Sequence, residues 1–302
     1  MKIKLLITLS AFWIFYNSRA QDLTTILEQE TPVEKEYIFA TFKGTRIING
    51  HSIENRKEGT LEFLISHRFG KINDGVDELF GLDDSNIRIA LEYGLTDDIM
   101  IGLGRSSFEK TYDGFIKYKL LKQRVGENAF PVSVSLFGSI ARKTLKDYEP
   151  DNKPIFKDRL FYTSQILIAR KFNESVSVQI TPTYIHRNSV KIEEDPHDFF
   201  AIGVGSRFKI SKRMAVNAEY FQAFHQLESL DTHNSLALAL EIETGGHVFQ
   251  LIFSNANTMI EKSFITETTS DFFNGDIHFG FNISRAFHLK KNKISDVNQN
   301  DW

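Results

Sequence analysis

Ile277-His278-Phe279-Gly280-Phe281-Asn282-Ile283-Ser284-Arg285-Ala286-Phe287 is the stretch on which the reading of this chain turns. Ile277, Phe279, Phe281, Ile283 and Phe287 are apolar, and Arg285 falls in the same register near one end. Between them sit His278, Gly280, Asn282, Ser284 and Ala286. Successive side chains of a strand point to opposite faces. One face of this segment therefore wants lipid or a core, and the other accepts polar company. The pattern recurs about a dozen times along the chain. Behind an export signal, such repetition predicts an all-β protein, an antiparallel transmembrane β-barrel.

The chain starts with Lys2 and Lys4, an apolar run from Leu5 to Phe15, and Ser18-Arg19-Ala20, which is how a signal peptide over residues 1–20 reads. The apolar run is far short of the ~20 residues a spanning helix needs. Cleavage would remove Lys2, Lys4 and Arg19 and no acid, moving the formal charge from −3 to −6. That mild acidic excess speaks against nucleic acid as a partner. The chain has no cysteine, which excludes disulfides, thiolate metal sites, a thiol nucleophile and an N-terminal lipid-modified thiol. No later stretch is long and charge-free enough for a membrane helix, so any crossing must be made by strands closed into a barrel. The 27 phenylalanines and 9 tyrosines against only 6 prolines agree with strands.

Candidate strands lie near 60–69, 86–95, 99–107, 112–121, 132–143, 160–172, 176–187, 199–210, 214–225, 235–244, 247–255 and 276–287. Most have the ~9–11 residues that cross a bilayer obliquely. Connections alternate between short (95–98, 172–175, 210–213, 244–246) and long (70–85, 144–158, 188–198, 226–234, 256–275). Outer-membrane barrels have short periplasmic turns and longer outside loops. Residues 122–131 are long for a short-turn position. Twelve strands are expected from Thr60 to Phe287. An extended segment at 37–53 would be a thirteenth, so either it is no full wall strand or a further strand makes fourteen, since single-chain bacterial barrels have even numbers. The expected organisation is a signal peptide 1–20, a polar segment 21–36, a barrel domain 37–288 and a periplasmic tail 289–302.

By alternation Leu61, Phe63, Ile65, Ile89, Leu91, Leu238, Leu251, Phe253 and Phe281 face lipid. The same register turns Glu62, Arg88, Glu92, Lys117, Lys119, Arg187, Arg207, Lys209, Glu219, Glu241, Glu243 and Asp276 into the lumen. The basic members sit mainly on earlier and middle strands and the acidic ones mainly on the last. Two outcomes are open: a basic wall facing an acidic wall across a pore, or charges that pair and close a narrow lumen. Glu193, Glu194, Asp195, His197, Glu228, Asp231 and His233 crowd two long loops, but their spacing is not that of a metal site, and none is assigned. Ser66 and His67 are neighbours on a strand and point to opposite faces, so they cannot form a catalytic dyad with each other. Gly245-Gly246 reads as a tight hairpin turn. No hydrolase elbow, metalloprotease, dinucleotide or phosphate-loop signature occurs, and no catalytic residue or cofactor is assigned.

The runs His67-Arg68-Phe69-Gly70, Tyr93-Gly94-Leu95-Thr96-Asp97-Asp98-Ile99-Met100-Ile101-Gly102, Lys117-Tyr118-Lys119-Leu120-Leu121, Thr244-Gly245-Gly246-His247-Val248-Phe249-Gln250-Leu251 and Phe279–Phe287 resemble an uncharacterised family of Gram-negative outer-membrane β-barrels, over roughly residues 37–287. The resemblance implies fold and location. It supplies no activity and no functional residues. The expectation is a non-enzymatic barrel in the outer membrane of a Gram-negative cell, in contact with outer-membrane lipid. It would pass small polar solutes or ions. The alternatives are a plugged structural barrel and an enzyme at the outer-leaflet rim.

Overall fold

The computed structural model describes residues 35–146 and 155–289. The expected signal peptide, the polar segment as far as residue 34 and the tail from residue 290 lie outside these. The strands are β1 (Glu36–Tyr37), β2 (Thr60–Lys71), β3 (Ser85–Gly94), β4 (Ile99–Ser106), β5 (Tyr112–Leu121), β6 (Arg124–Val125), β7 (Ser133–Arg142), β8 (Leu160–Lys171), β9 (Val176–Arg187), β10 (Asp198–Lys209), β11 (Met214–Ala223), β12 (Ser235–Thr244), β13 (His247–Ser254) and β14 (His278–His288). Twelve of them close a barrel in the order β2-β3-β4-β5-β7-β8-β9-β10-β11-β12-β13-β14, each antiparallel to its neighbours. Closure runs from Thr60↔His288 to Lys71↔His278, with one bulge between His278 and Gly280. A short helix, α1 (Glu261–Thr266), lies in the connection from β13 to β14.

The wall follows from the two-residue alternation. On β2 every second residue is buried, from Thr60 and Glu62 to Arg68 and Gly70. Outward side chains such as Ile89, Leu103, Leu251 and Phe253 are exposed on the barrel surface. Leu238 is 42% exposed and its neighbour Ala237 is 0% exposed. Arginine in place of Leu238 should therefore destabilise the barrel by about 2–4 kcal/mol if the position lies near mid-bilayer. Urea titration of lipid-refolded protein would measure this, and a cost near zero would mean that this surface does not meet hydrocarbon. Arginine at Ala237 would instead be driven into the packed interior described below.

The short connections are tight for identifiable reasons. Asn173 Oδ1 accepts from the N–H groups of Ser175 and Val176, both at 2.8 Å. Gly245 and Gly246 adopt φ of 24° and 103°, a backbone that favours glycine and suits a two-residue hairpin. The long connection at 122–131 also has a reason. It carries β6, which pairs with β1, and the Ile38 N–H donates to Gln123 O at 2.9 Å. Extra length there is the dock for the incoming chain.

The segment 37–53 is not a wall strand. Beyond β1 the chain enters the barrel, and most of residues 41–53 are buried inside it. The wall proper starts at Thr60, and the strand count is twelve.

Candidate functional site

Residues 41–56 occupy the lumen from the short-turn end as a hairpin. Its rungs are the Arg46↔His51 bridge, Ile47 N–H to Gly50 O and Ser52 N–H to Thr45 O, both at 2.9 Å. Both legs leave through the mouth by which they enter, the first to β1 and the second to β2. At the tip, Gly50 fits closely, since a Cβ there would lie 3.1–3.2 Å from Phe221 and Glu219. Gly205 on β10 makes the matching space in the wall, since its Cβ would sit 2.4 Å from Ile47 Cδ1.

The tip is held chiefly by its own backbone. The buried Glu219 carboxylate accepts N–H groups from Ile48 at 3.3 Å, Asn49 at 3.0 Å and Gly50 at 3.0 Å. Consecutive N–H groups converging on one anion form a concave anion-binding turn. Wall amides take the carbonyls: Gln250 Nε2 donates to Ile47 O at 2.7 Å and Asn282 Nδ2 to Ile48 O at 2.8 Å. Arg68 Nη2 donates to Asn49 Oδ1 at 2.7 Å.

Lower down, Lys117 Nζ donates to Ser52 O at 2.9 Å and also to Glu54 O. Gln179 Nε2 donates to His51 O at 2.8 Å. Glu62 accepts from Thr45 Oγ1 at 3.0 Å and Arg56 Nε at 2.7 Å. Lys43 pairs with Glu243 at 2.7 Å, and Lys119 lies 3.9 Å from Glu54. Apolar side chains complete the fit. Phe42, Ile47, Ile48 and Ile53 pack with Met100, Phe115, Phe137, Leu167, Ala237 and Ile252 of the wall. The His51 ring sits between Phe115 and Phe137, with centroids 4.4 and 4.3 Å away.

A second segment descends from the long-loop end. Every residue of α1 is buried, and Phe264 meets Phe221 edge-on with centroids 5.2 Å apart. Lys262 binds both Glu109 and Glu267, while Arg187 pairs with Glu267 at 3.0 Å and donates to Thr266. The two inserted segments touch at Glu261, whose Oε1 lies 3.0 Å from Arg46 Nη1 and 3.6 Å from His51 Nε2.

In the loop after α1, burial alone would raise Glu267, but Lys262 and Arg187 outweigh it and hold the carboxyl down to about 2. A carboxylate depressed on folding stabilises the native state above its unfolded value of roughly 4.3 and loses that contribution as pH falls toward the native value. Hydrogen-exchange protection of residues 261–267 should accordingly fall between about pH 4.5 and 2. Constant protection over that range would contradict the ion-pair anchor.

The charges expected in the lumen are mostly committed. Arg207 on β10 reaches over Asn217 of β11 to Glu241 at 2.8 Å and Glu243 at 3.0 Å on β12. Arg88 on β3 reaches over Gly104 of β4 to Asp113 on β5, with Nε to Oδ1 at 3.0 Å. Of the two outcomes the sequence leaves open, these pairs follow the second: the charges sit two strands apart and neutralise one another locally. Glu92 is 0% exposed and, among the described residues, neither carboxylate oxygen has a hydrogen-bond partner; Arg46 Nε lies 3.8 Å away. Lys209 is half-buried at the short-turn mouth.

Asp276 is a correction. It precedes β14 instead of lying on it, and its carboxylate binds Asn73 and lies 3.6 Å from Lys71 at the long-loop rim. Ser66 points inward, whereas His67 stacks outward on Phe281 at 5.1 Å. In the loops, Asp195 accepts from the N–H and hydroxyl of Ser229. Among the described residues no group of three or more His, Asp or Glu is placed to hold a metal.

Sequence reasoning missed the hairpin and α1. The usable signal lay on the inward register, where Phe115, Phe137, Leu167, Ile185, Phe221 and Ile252 are large and apolar. Their presence on the inward register points to something packed against them.

The chain matches, over residues 42–287, the family described as a membrane bound beta barrel domain (DUF5777). No curated protein matches it. Similar solved structures include the NanC porin, at 8% identity and TM-score 0.45, covering 76% of this chain and 100% of that one. The KdgM porin aligns at 6% identity and TM-score 0.44, covering 76% and 99%. OmpT, an outer membrane protein of Vibrio cholerae, aligns at 10% identity and TM-score 0.35, covering 76% and 98%.

Proposed function

We propose, for a chain that belongs to the membrane bound beta barrel family DUF5777, that it is an outer-membrane channel of a Gram-negative cell, held shut by its own hairpin. The short turns and the hairpin's mouth face the periplasm in this reading, and the long loops face outside. Withdrawal of residues 41–56 toward the periplasm opens a path for small polar solutes or ions. The carrying observation is how the hairpin is held. Both legs use one mouth, so withdrawal needs no threading, and many of its links are hydrogen bonds and ion pairs that water can replace. A permanently plugged structural barrel is the second reading, favoured by α1, which fills the lumen from the other end.

Planar-bilayer recordings test the two. Glu219→Gln keeps the shape of the latch but weakens its grip on three N–H groups. A charged hydrogen-bond acceptor is worth about 1.5–3 kcal/mol against about 1 for a neutral one, so the open fraction should rise several-fold. A silent wild type and a silent variant, both folded, would favour the plugged reading. Sidedness is tested separately in this cysteine-free chain. An impermeant thiol reagent on intact cells should label Glu194→Cys and spare Lys212→Cys.

A further inference from the structure

We infer that the inner face of β7, β8 and β9 is the binding surface for an uncharged, hydroxyl-rich solute crossing the lumen. The inference rests on the channel reading and deepens it. On β2–β5 and β10–β12 the inward face carries charge, including Glu62, Arg88, Glu92 and Lys117 on one side and Arg207, Glu219 and Glu241 on the other. Between them, above Lys171 at one mouth and below Arg187 at the other, β7–β9 present Ser135, Thr163, Gln165, Gln179, Thr181 and Thr183, all buried and all uncharged.

These groups are organised in part among themselves. Gln165 Nε2 donates to Thr183 Oγ1 at 3.0 Å, and Gln179 Nε2 donates to Thr181 Oγ1 at 3.1 Å. That fixes each amide with its oxygen turned away from its bond. Among the described residues, the oxygens of Gln165 and Gln179 and the hydroxyl of Ser135 have no hydrogen-bond partner. Buried polar atoms are nearly always paired, so three unpaired ones on one face call for an explanation. In the shut state the hairpin reaches this face, where Gln179 Nε2 also donates to His51 O at 2.8 Å. When the hairpin leaves, they become fixed acceptors facing the lumen, while the Arg88–Asp113 and Arg207–Glu241 pairs remain neutralised within the wall. Phe137 lies on the same face and offers a flat apolar platform. A fixed amide oxygen, adjacent hydroxyls and an aromatic face suit a neutral sugar or polyol. They hold no charge with which to select an ion.

The test uses the full-length chain with residues 42–53 replaced by an equally long Gly-Ser sequence, reconstituted in liposomes. Flux of a neutral disaccharide and conductance in KCl are measured with and without Gln165→Leu/Gln179→Leu, and folding is checked by heat-modifiable gel mobility. Disaccharide flux should fall at least fivefold in the leucine variant while KCl conductance changes less than twofold. Thr183→Val, a smaller change on the same face, should lower disaccharide flux in the same direction. Disaccharide flux unchanged beside a working KCl conductance would overturn this inference alone. Equal losses in both would mean general narrowing and would overturn it too. No flux of either probe would overturn the channel reading and this inference with it.

Discussion

A barrel whose residues 42–53 are replaced by Gly-Ser of equal length should stay folded and conduct continuously, where the native chain is mostly shut. The replacement keeps the backbone and both tethers but removes Phe42, Ile47, Ile48 and Ile53, which are buried against the wall. Full burial of one such side chain is worth about 1.5–3 kcal/mol. It also removes Arg46, which binds Glu261. Moving an equilibrium from 1:99 to 99:1 takes about 5.5 kcal/mol, and the lost burial alone exceeds that. Single-channel recording should show open probability rising from a few per cent or less to near unity. A folded variant that passes no current would show that α1 closes the lumen unaided, and the hairpin would lose its role as gate.

The second large effect is on the wall itself. Asp113→Ala should cost about 3–5 kcal/mol, because it leaves the Arg88 guanidinium buried without its counter-charge. Arg88 and Asp113 are both buried, and Gly104 lies beneath them because a Cβ there would come within 2.5 Å of Arg88 Nη2. The paired replacement Arg88→Met/Asp113→Leu should be close to neutral, since two apolar side chains need no compensation. Urea titrations followed by gel mobility would measure both. A loss under about 1 kcal/mol for Asp113→Ala would mean that water reaches the pair.

The wall was legible in the sequence because alternation is a local signal. The segment read as 60–69 is Thr60–Lys71, and that read as 276–287 is His278–His288. Each strand announces its two faces. The contents of the lumen were not legible in the same way. Residues 37–53 read as one extended segment; Asn49-Gly50 is a local hairpin signal, but nothing local says that the hairpin lies inside the barrel. What places it there is Glu219, far along the chain on β11, meeting three N–H groups. Which charges pair was left open for a related reason. Alternation shows that Arg207 and Glu241 share the inner face, but only the register β10-β11-β12 shows that they lie within bonding reach. Asp276 was misplaced by a strand start two residues too early.

The contact between Arg46 and Glu261 makes the barrel a communication line. One partner belongs to a segment reached from the short-turn end, and the other to a segment reached from the long-loop end. Any binding event at the long-loop end that draws Glu261 away would weaken the hairpin by a definite factor. By reciprocity, withdrawing the hairpin would loosen the segment carrying α1 by the same factor. A double-mutant cycle on Arg46→Gln and Glu261→Gln, read as hydrogen-exchange protection of each segment, would give that factor from both directions. Two unequal values would break the line. Equal values would mean that news of what has arrived at one surface of the membrane can be delivered to the other before any solute has moved.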